Sequence, residues 1–164
     1  MQLYLVQHGA AKSGTEDPQR SLTQEGTKTV EDMAQYLSQA MLHVDRIEHS
    51  DKQRARQTAE IMAAHLQPAE GTRQAAGLAS NDDAGPMRER LQHESKSLMI
   101  VGHLPYLSRL VSALFGVQED RTLVAFQMGG VVHLERDDNG EWRVRWILAP
   151  ELLPESKSEQ RNAA

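Results

Sequence analysis

Two histidines in this chain occupy equivalent places. His8 ends the first short apolar run, residues 3–6, in the stretch Val6-Gln7-His8-Gly9, and His103 ends the run at 98–101, in Val101-Gly102-His103-Leu104-Pro105. A single histidine at the end of an apolar run is an ordinary polar loop residue. Two of them, each beside a glycine and each closing a run that reads as a buried strand, can face one crevice. In open α/β sheets ligands bind outside the carboxyl ends of the strands. Imidazole is a nucleophile when neutral, and its unperturbed pKa of ~6.5 leaves most of it unprotonated at neutral pH.

The neighbours of these histidines suit an anionic group. Gly9 lets backbone approach a bound anion closely. Residues 103–106 open a helix, so free N–H groups and the positive dipole end face whatever His103 faces. Leu104 and Tyr106 are the candidate amide donors there, because Pro105 has no N–H. Arg54 opens a further helix after another strand. Charge that develops on phosphoryl oxygens calls for fixed donors: a guanidinium fork, backbone amides and a second imidazole. The set therefore fits phosphoryl transfer with no metal or other cofactor.

These residues are positioned by alternating elements. Residues 3–6, 46–50 and 98–101 read as strands; Thr23 caps a helix with Val30, Met33, Ala34, Leu37 and Met41 at helical spacing. Residues 51–66 form a helix with Ala55, Ala59, Met62 and Leu66 on one side, ended by Pro68. Residues 69–86 read as a long loop and 87–93 as a short helix. Pro105 sits in the first turn of a helix to about Phe115. Strands follow at 122–128, 131–136 and 142–148, the last two joined by a turn at Asp138-Asn139-Gly140. The pattern predicts an α/β fold: a three-layer α/β/α sandwich whose mainly parallel sheet ends in an antiparallel hairpin. One domain over 1–153 and a disordered polar tail over 154–164 complete the expected layout.

Composition narrows the partners. The 164 residues carry a formal charge of -5, which disfavours nucleic acid, and contain no cysteine for thiolate chemistry, disulfides or zinc ligation. No run approaches the ~18 apolar residues of a membrane span, and a soluble cytoplasmic protein is expected. His43, His49, His65, His93 and His133 show no ligand spacing. Lys52, Arg54 and Arg56 form a basic cluster that is solvated or meets an acidic partner. Met33, Met41, Met62, Met99 and Met128 read as core filling.

Four stretches together resemble the histidine phosphatase superfamily, the phosphoglycerate mutase-like family: VQHG at 6–9, RSLTQEG at 20–26, HSDKQRARQTAE at 49–60 and VGHLP at 101–105. Chain length and the lack of inserted cap segments are similar to the SixA-type phosphohistidine phosphatases. The resemblance implies that His8 is the phosphorylated nucleophile. It implies that Arg54, in the pattern S-x-x-x-R-A-x-Q-T, holds the phosphoryl oxygens, and that His103 stabilises the transition state. Arg20 sits where many members place a further basic residue, while Thr23 and Gly26 are explained by helix start and packing. The family opens this motif with Arg-His-Gly, and position 7 here is Gln, which donates as a neutral amide without the fork. Losing one charge-assisted bond of about 1.5–3 kcal/mol costs roughly 10- to 100-fold. Mutases and acid-type phosphatases use a carboxylate in the central loop as general acid, for which Asp82 and Asp83 are the candidates.

The implied activity is a metal-independent phosphatase working through a phosphohistidine intermediate. Its leading substrate is phosphohistidine on a signalling protein, such as a histidine phosphotransfer domain, because that bond is labile and needs little help from an acid. The alternatives are a small-molecule phosphomonoesterase or mutase, and a weakly active or non-catalytic phosphoprotein-binding relative.

Overall fold

The runs that end at the two histidines are neighbouring strands at the centre of one sheet. A computed structural model describes residues 1–118 and 121–154. The elements are β1 (Gln2–Gln7), α1 (Gln24–Gln39), β2 (Arg46–His49), α2 (Gln53–Leu66), β3 (Thr72–Gln74), α3 (Gly85–His93), β4 (Leu98–Gly102), α4 (Tyr106–Leu114), β5 (Val131–Arg136) and β6 (Trp142–Leu148), then a 3-10 turn at Pro150–Leu152. The six strands run in the order β3-β2-β4-β1-β5-β6. The first four are mutually parallel, β5 pairs antiparallel with β1, and β6 pairs antiparallel with β5.

Alternation along the central strands fills two cores. Leu3, Leu5, Leu98 and Ile100 pack with Met87 and Leu91 of α3 and Leu107 and Leu110 of α4. Tyr4, Val6, Met99 and Val101 pack on the other face with Val30, Met33 and Leu37 of α1 and Ala59 and Met62 of α2. Each such side chain taken out of water contributes about 1.5–3 kcal/mol before entropy is counted. A parallel sheet covered on both faces demands these unbroken apolar runs. The three-layer α/β/α architecture with an antiparallel edge is thus the one expected.

Several elements differ from expectation. The strand at 122–128 does not form: β1 is already paired on both sides, and the segment meets it only at an isolated Gln7–Met128 bridge before Gly129 turns away with φ 78°. Met128 is 48% exposed there, and Met41, beyond the end of α1 at φ 54°, is 88% exposed, so neither fills the core. Leu66 is only partly buried, and Thr58 joins Ala55, Ala59 and Met62 on the buried side of α2. The loop at 69–86 contains the short exposed strand β3. Pro105 precedes α4 as its cap residue and lies outside the first turn. Thr23 caps α1 as expected, accepting the Gly26 N–H at 2.9 Å. Within the expected tail, residues 155–164 lie outside the described residues.

Candidate active site

The pairing of Gln7 with Gly102 ends β1 and β4 in register, so His8 and His103 leave the sheet side by side. Their rings are 4.9 Å apart between centroids, tilted by 56°. The peptide at His8 is tied to β4 as well, its N–H donating to the Gly102 carbonyl at 3.1 Å.

The His8 ring is held at both nitrogens. Its Nδ1 lies 2.7 Å from the Gly9 carbonyl oxygen, an acceptor, so Nδ1 carries the proton and Nε2 keeps its lone pair. Arg54, one residue inside α2, donates from Nε to His8 Nε2 at 3.1 Å. The nitrogen that would attack a phosphorus atom therefore rests against a guanidinium. Gly9 itself is committed to packing: a Cβ there would meet Val30 Cγ2 at 2.8 Å and the Gly26 carbonyl at 3.0 Å. Its N–H donates to Thr58 Oγ1 at 3.0 Å, so its contribution is orientation of the loop against α1 and α2.

His103 is 2% exposed and shares a 2.5 Å hydrogen bond between Nε2 and Ser50 Oγ. Its Nδ1 is buried with no protein partner among the described residues, so the ring retains hydrogen-bonding capacity. Ser50, itself buried, follows the end of β2, and its N–H donates to the Val101 carbonyl at 3.3 Å. Ser50 and Thr58 are the residues that sequence reasoning passed over. Both lie inside the stretch S-x-x-x-R-A-x-Q-T and could have been found by asking what its hydroxyls bond to.

The pocket is cationic although the chain is acidic. Burial lowers the His8 pKa, and the charges of Arg54 and Arg20 lower it further against the Gly9 hydrogen bond. Burial first, then His8 and Arg54, push His103 down to about 4, with Asp51 opposing. Burial and Arg20 lower Arg54 as well, but a guanidinium stays protonated. Since a lowered pKa means that protonation waits for a lower pH, both rings are neutral at pH 7. An NMR titration of the imidazoles is expected to place the His8 midpoint below 6.5 and that of His103 near 4. A His8 midpoint above 6.5 would contradict this electrostatic account.

The remaining predicted residues fall into two groups. Arg20 is exposed at φ 53°, bonded through Nε to the Lys12 carbonyl at 3.3 Å, and its charge acts on both His8 and Arg54. Gln7 ends β1 with its side-chain Oε1 buried and unpartnered among the described residues. Leu104 is 39% exposed beside His103, just ahead of the Pro105 cap of α4. Asp82 and Asp83 hold turns instead, accepting the Ala79 and Gly85 N–H groups at 2.8 Å each. Their charges bear on the buried Tyr106 hydroxyl, and the carboxylate whose charge acts on His103 is Asp51, outweighed there by burial, His8 and Arg54. The basic cluster at 52–56 is divided: Lys52 pairs with Asp51 at 2.9 Å, Arg56 with Glu60 at 2.8 Å, and only Arg54 turns to His8. Among the described residues no group of His, Cys, Asp and Glu could hold a metal ion, and no helix is long and apolar enough to cross a membrane.

Known proteins share this arrangement of elements. The family model of the histidine phosphatase superfamily (branch 1) matches residues 3–79. An uncharacterised protein of Picosynechococcus sp. is 37% identical over 122 residues, which are 70% of this chain and 73% of that protein. Phosphohistidine phosphatase SixA of Escherichia coli (strain K12) is 26% identical over 163 residues, 96% of this chain and 99% of that protein. The solved structure of protein histidine phosphatase SixA complexed with tungstate superposes with a TM-score of 0.82 at 25% identity, covering 94% of this chain and 100% of the other. The fold is the phosphoglycerate mutase-like fold of histidine phosphatases.

Proposed function

Since the chain belongs to the histidine phosphatase superfamily and its similarity to SixA supports a phosphatase, we propose that it acts through a phosphorylated His8 and that its substrate is phosphohistidine on a signalling protein. The observation that carries this reading is His8 Nε2, deprotonated and 3.1 Å from Arg54, beside a second buried imidazole. Arrival of a phosphoryl dianion draws the Arg54 guanidinium from the imidazole onto the phosphoryl oxygens and exposes the lone pair. Nε2 then forms a bond to phosphorus as the bond to the leaving group breaks, and the leaving group takes up a proton. Water attacks phospho-His8 in turn, releasing phosphate and restoring the imidazole. Arg54, Arg20, His103 and the Leu104 amide ahead of α4 meet the negative charge at each stage.

Substrate choice follows from the weak acid complement. Asp82 and Asp83 are tied into loop turns, and no described carboxylate hydrogen-bonds either histidine. An alkoxide leaving group needs a positioned acid, whereas imidazole protonates readily from water near neutral pH. A phosphorylated histidine phosphotransfer domain is therefore the favoured partner over a phosphomonoester. The cysteine-free chain is compatible with cytoplasmic signalling.

Gln7 favours a second reading, a module that binds phosphorylated partners with little turnover, because its buried Oε1 has no partner. One experiment separates the readings. Wild type and Gln7→Arg are each given a phosphohistidine-bearing phosphotransfer domain and p-nitrophenyl phosphate, with released phosphate and acid-labile phosphoenzyme measured. The phosphatase reading expects turnover of the phosphoprotein by wild type and less than about a 10-fold gain in Gln7→Arg, because Arg20 already supplies charge. A gain on the order of 10² or more identifies a disabled pocket. Faster turnover of the phosphomonoester would overturn the substrate assignment.

A further inference from the structure

Four hydrogen bonds join His8 to itself through Thr58. His8 Nδ1 donates to the Gly9 carbonyl at 2.7 Å, the Gly9 N–H donates to Thr58 Oγ1 at 3.0 Å, Thr58 Oγ1 donates to the Arg54 carbonyl at 2.8 Å, and Arg54 Nε donates to His8 Nε2 at 3.1 Å. The circuit is closed and runs through both nitrogens of the imidazole. The Thr58 hydroxyl is its one link that belongs to neither the nucleophile loop nor Arg54, and it accepts from the first while donating to the second.

From this circuit we infer that Thr58 is a positioning residue that sets the tautomer and aim of His8. The inference rests on His8 being the nucleophile, as proposed above. A hydroxyl can bridge a donor and an acceptor at once; a methyl group of the same size can do neither. Thr58 is 0% exposed and Gly9 is buried, so the Gly9 N–H has no water to turn to if the hydroxyl is removed. The loop must then rotate to find a partner, carrying away the carbonyl that holds the Nδ1 proton. The Arg54 carbonyl on the first turn of α2 loses its side-chain partner at the same time and keeps its helical one. The ring is released on its Nδ1 side, and the tautomer with a free Nε2 is no longer enforced. The helical bond from Thr58 Oγ1 to the carbonyl four residues earlier is common for threonine; its continuation into the nucleophile loop is what gives it a chemical consequence.

The test compares wild type, Thr58→Val and Thr58→Ser in the full chain by two readouts. The first is the long-range proton–nitrogen NMR spectrum of the His8 imidazole, which reports the tautomer whether or not any substrate turns over. The second is kcat and KM with a phosphohistidine-bearing protein. Thr58→Val is expected to mix the His8 tautomers and lower kcat by about 10- to 100-fold with KM within about threefold. Thr58→Ser, which keeps the hydroxyl, is expected to hold the wild-type tautomer and kcat within about threefold. A folded Thr58→Val with an unchanged tautomer and unchanged kcat overturns the inference. If that variant does not fold, Thr58→Ser decides: a folded serine variant with a mixed tautomer or the 10-fold loss overturns it. Absence of turnover in every protein, with the tautomer responding as expected, would count against the phosphatase reading alone.

Discussion

Replacing His8 by alanine is expected to abolish the acid-labile phosphoenzyme and to lower phosphohistidine turnover by on the order of 10⁴-fold or more. The size follows from the route being lost and not merely weakened. His8 Nε2 is the nitrogen with an available lone pair beside Arg54, whereas the neighbouring ring, His103, is bonded through its Nε2 to Ser50. Fold and anion affinity should survive. His8 is partly exposed and lies outside both apolar cores, while Arg54 and Arg20 keep their charges. Tungstate binding by calorimetry, measured beside the phosphoenzyme assay, separates the two effects. Retained tungstate affinity with no phosphoenzyme is the expected pair of results. Phosphoenzyme formed at the wild-type level in His8→Ala would remove His8 from the mechanism.

The parts of this molecule that burial dictates could be read from the residues. Leu3 to Val6 and Leu98 to Val101 are apolar because both faces of a central parallel strand are covered, and that same burial fixes which residues come next at the carboxyl edge. His8 and His103 were legible as a pair for this reason. β2 gave a weaker signal because Arg46 and Glu48 interrupt it, yet the strand is buried. Glu48, 0% exposed, accepts from Arg46 at 3.0 Å and from Arg73 at 2.7 Å, and from Arg90 as well. Burial works to raise the Glu48 pKa, but the hydrogen bonds of Arg90 and Arg73 hold it below its usual value. Charge pairing across β2, β3 and α3 replaces apolar pattern there, and pairing between distant residues leaves no local trace.

Periodicity overreached where pairing decides. Residues 122–128 contain apolar residues at strand-like density, but both edges of β1 are occupied and only Met128 reaches it. The site was half legible for a related reason. A motif names the groups that carry charge, whereas Ser50 and Thr58 act through hydroxyls whose partners lie 53 and 49 residues away in the chain. Gln7 shows the reverse case. Its departure from the family pattern is plain in the sequence, while the Arg20 charge that lowers the His8 pKa comes from a left-handed backbone position in a loop without periodicity.

Arg54 is the residue through which these influences meet, and its substitution has the second large expected effect. Arg54→Ala is expected to lower kcat by about 10³- to 10⁵-fold, the range lost when a transition-state guanidinium is removed from phosphoryl transfer. Arg54→Lys keeps the charge but not the planar fork, and a loss of about 10²-fold is expected. Gln7 makes this chain more dependent on Arg54 than an enzyme with arginine at both positions, because the residue that precedes the nucleophile carries no fork. The electrostatics supply an independent readout. Arg54 lowers the His8 pKa by its charge, so Arg54→Ala is expected to raise the His8 midpoint toward 6.5, while Arg54→Lys leaves it close to wild type. If Arg54→Ala keeps kcat within about 10-fold, the phosphoryl clamp lies elsewhere. If kcat falls but the His8 midpoint does not move, Arg54 acts on the substrate without touching the imidazole, and the resting contact between them has no part in the chemistry.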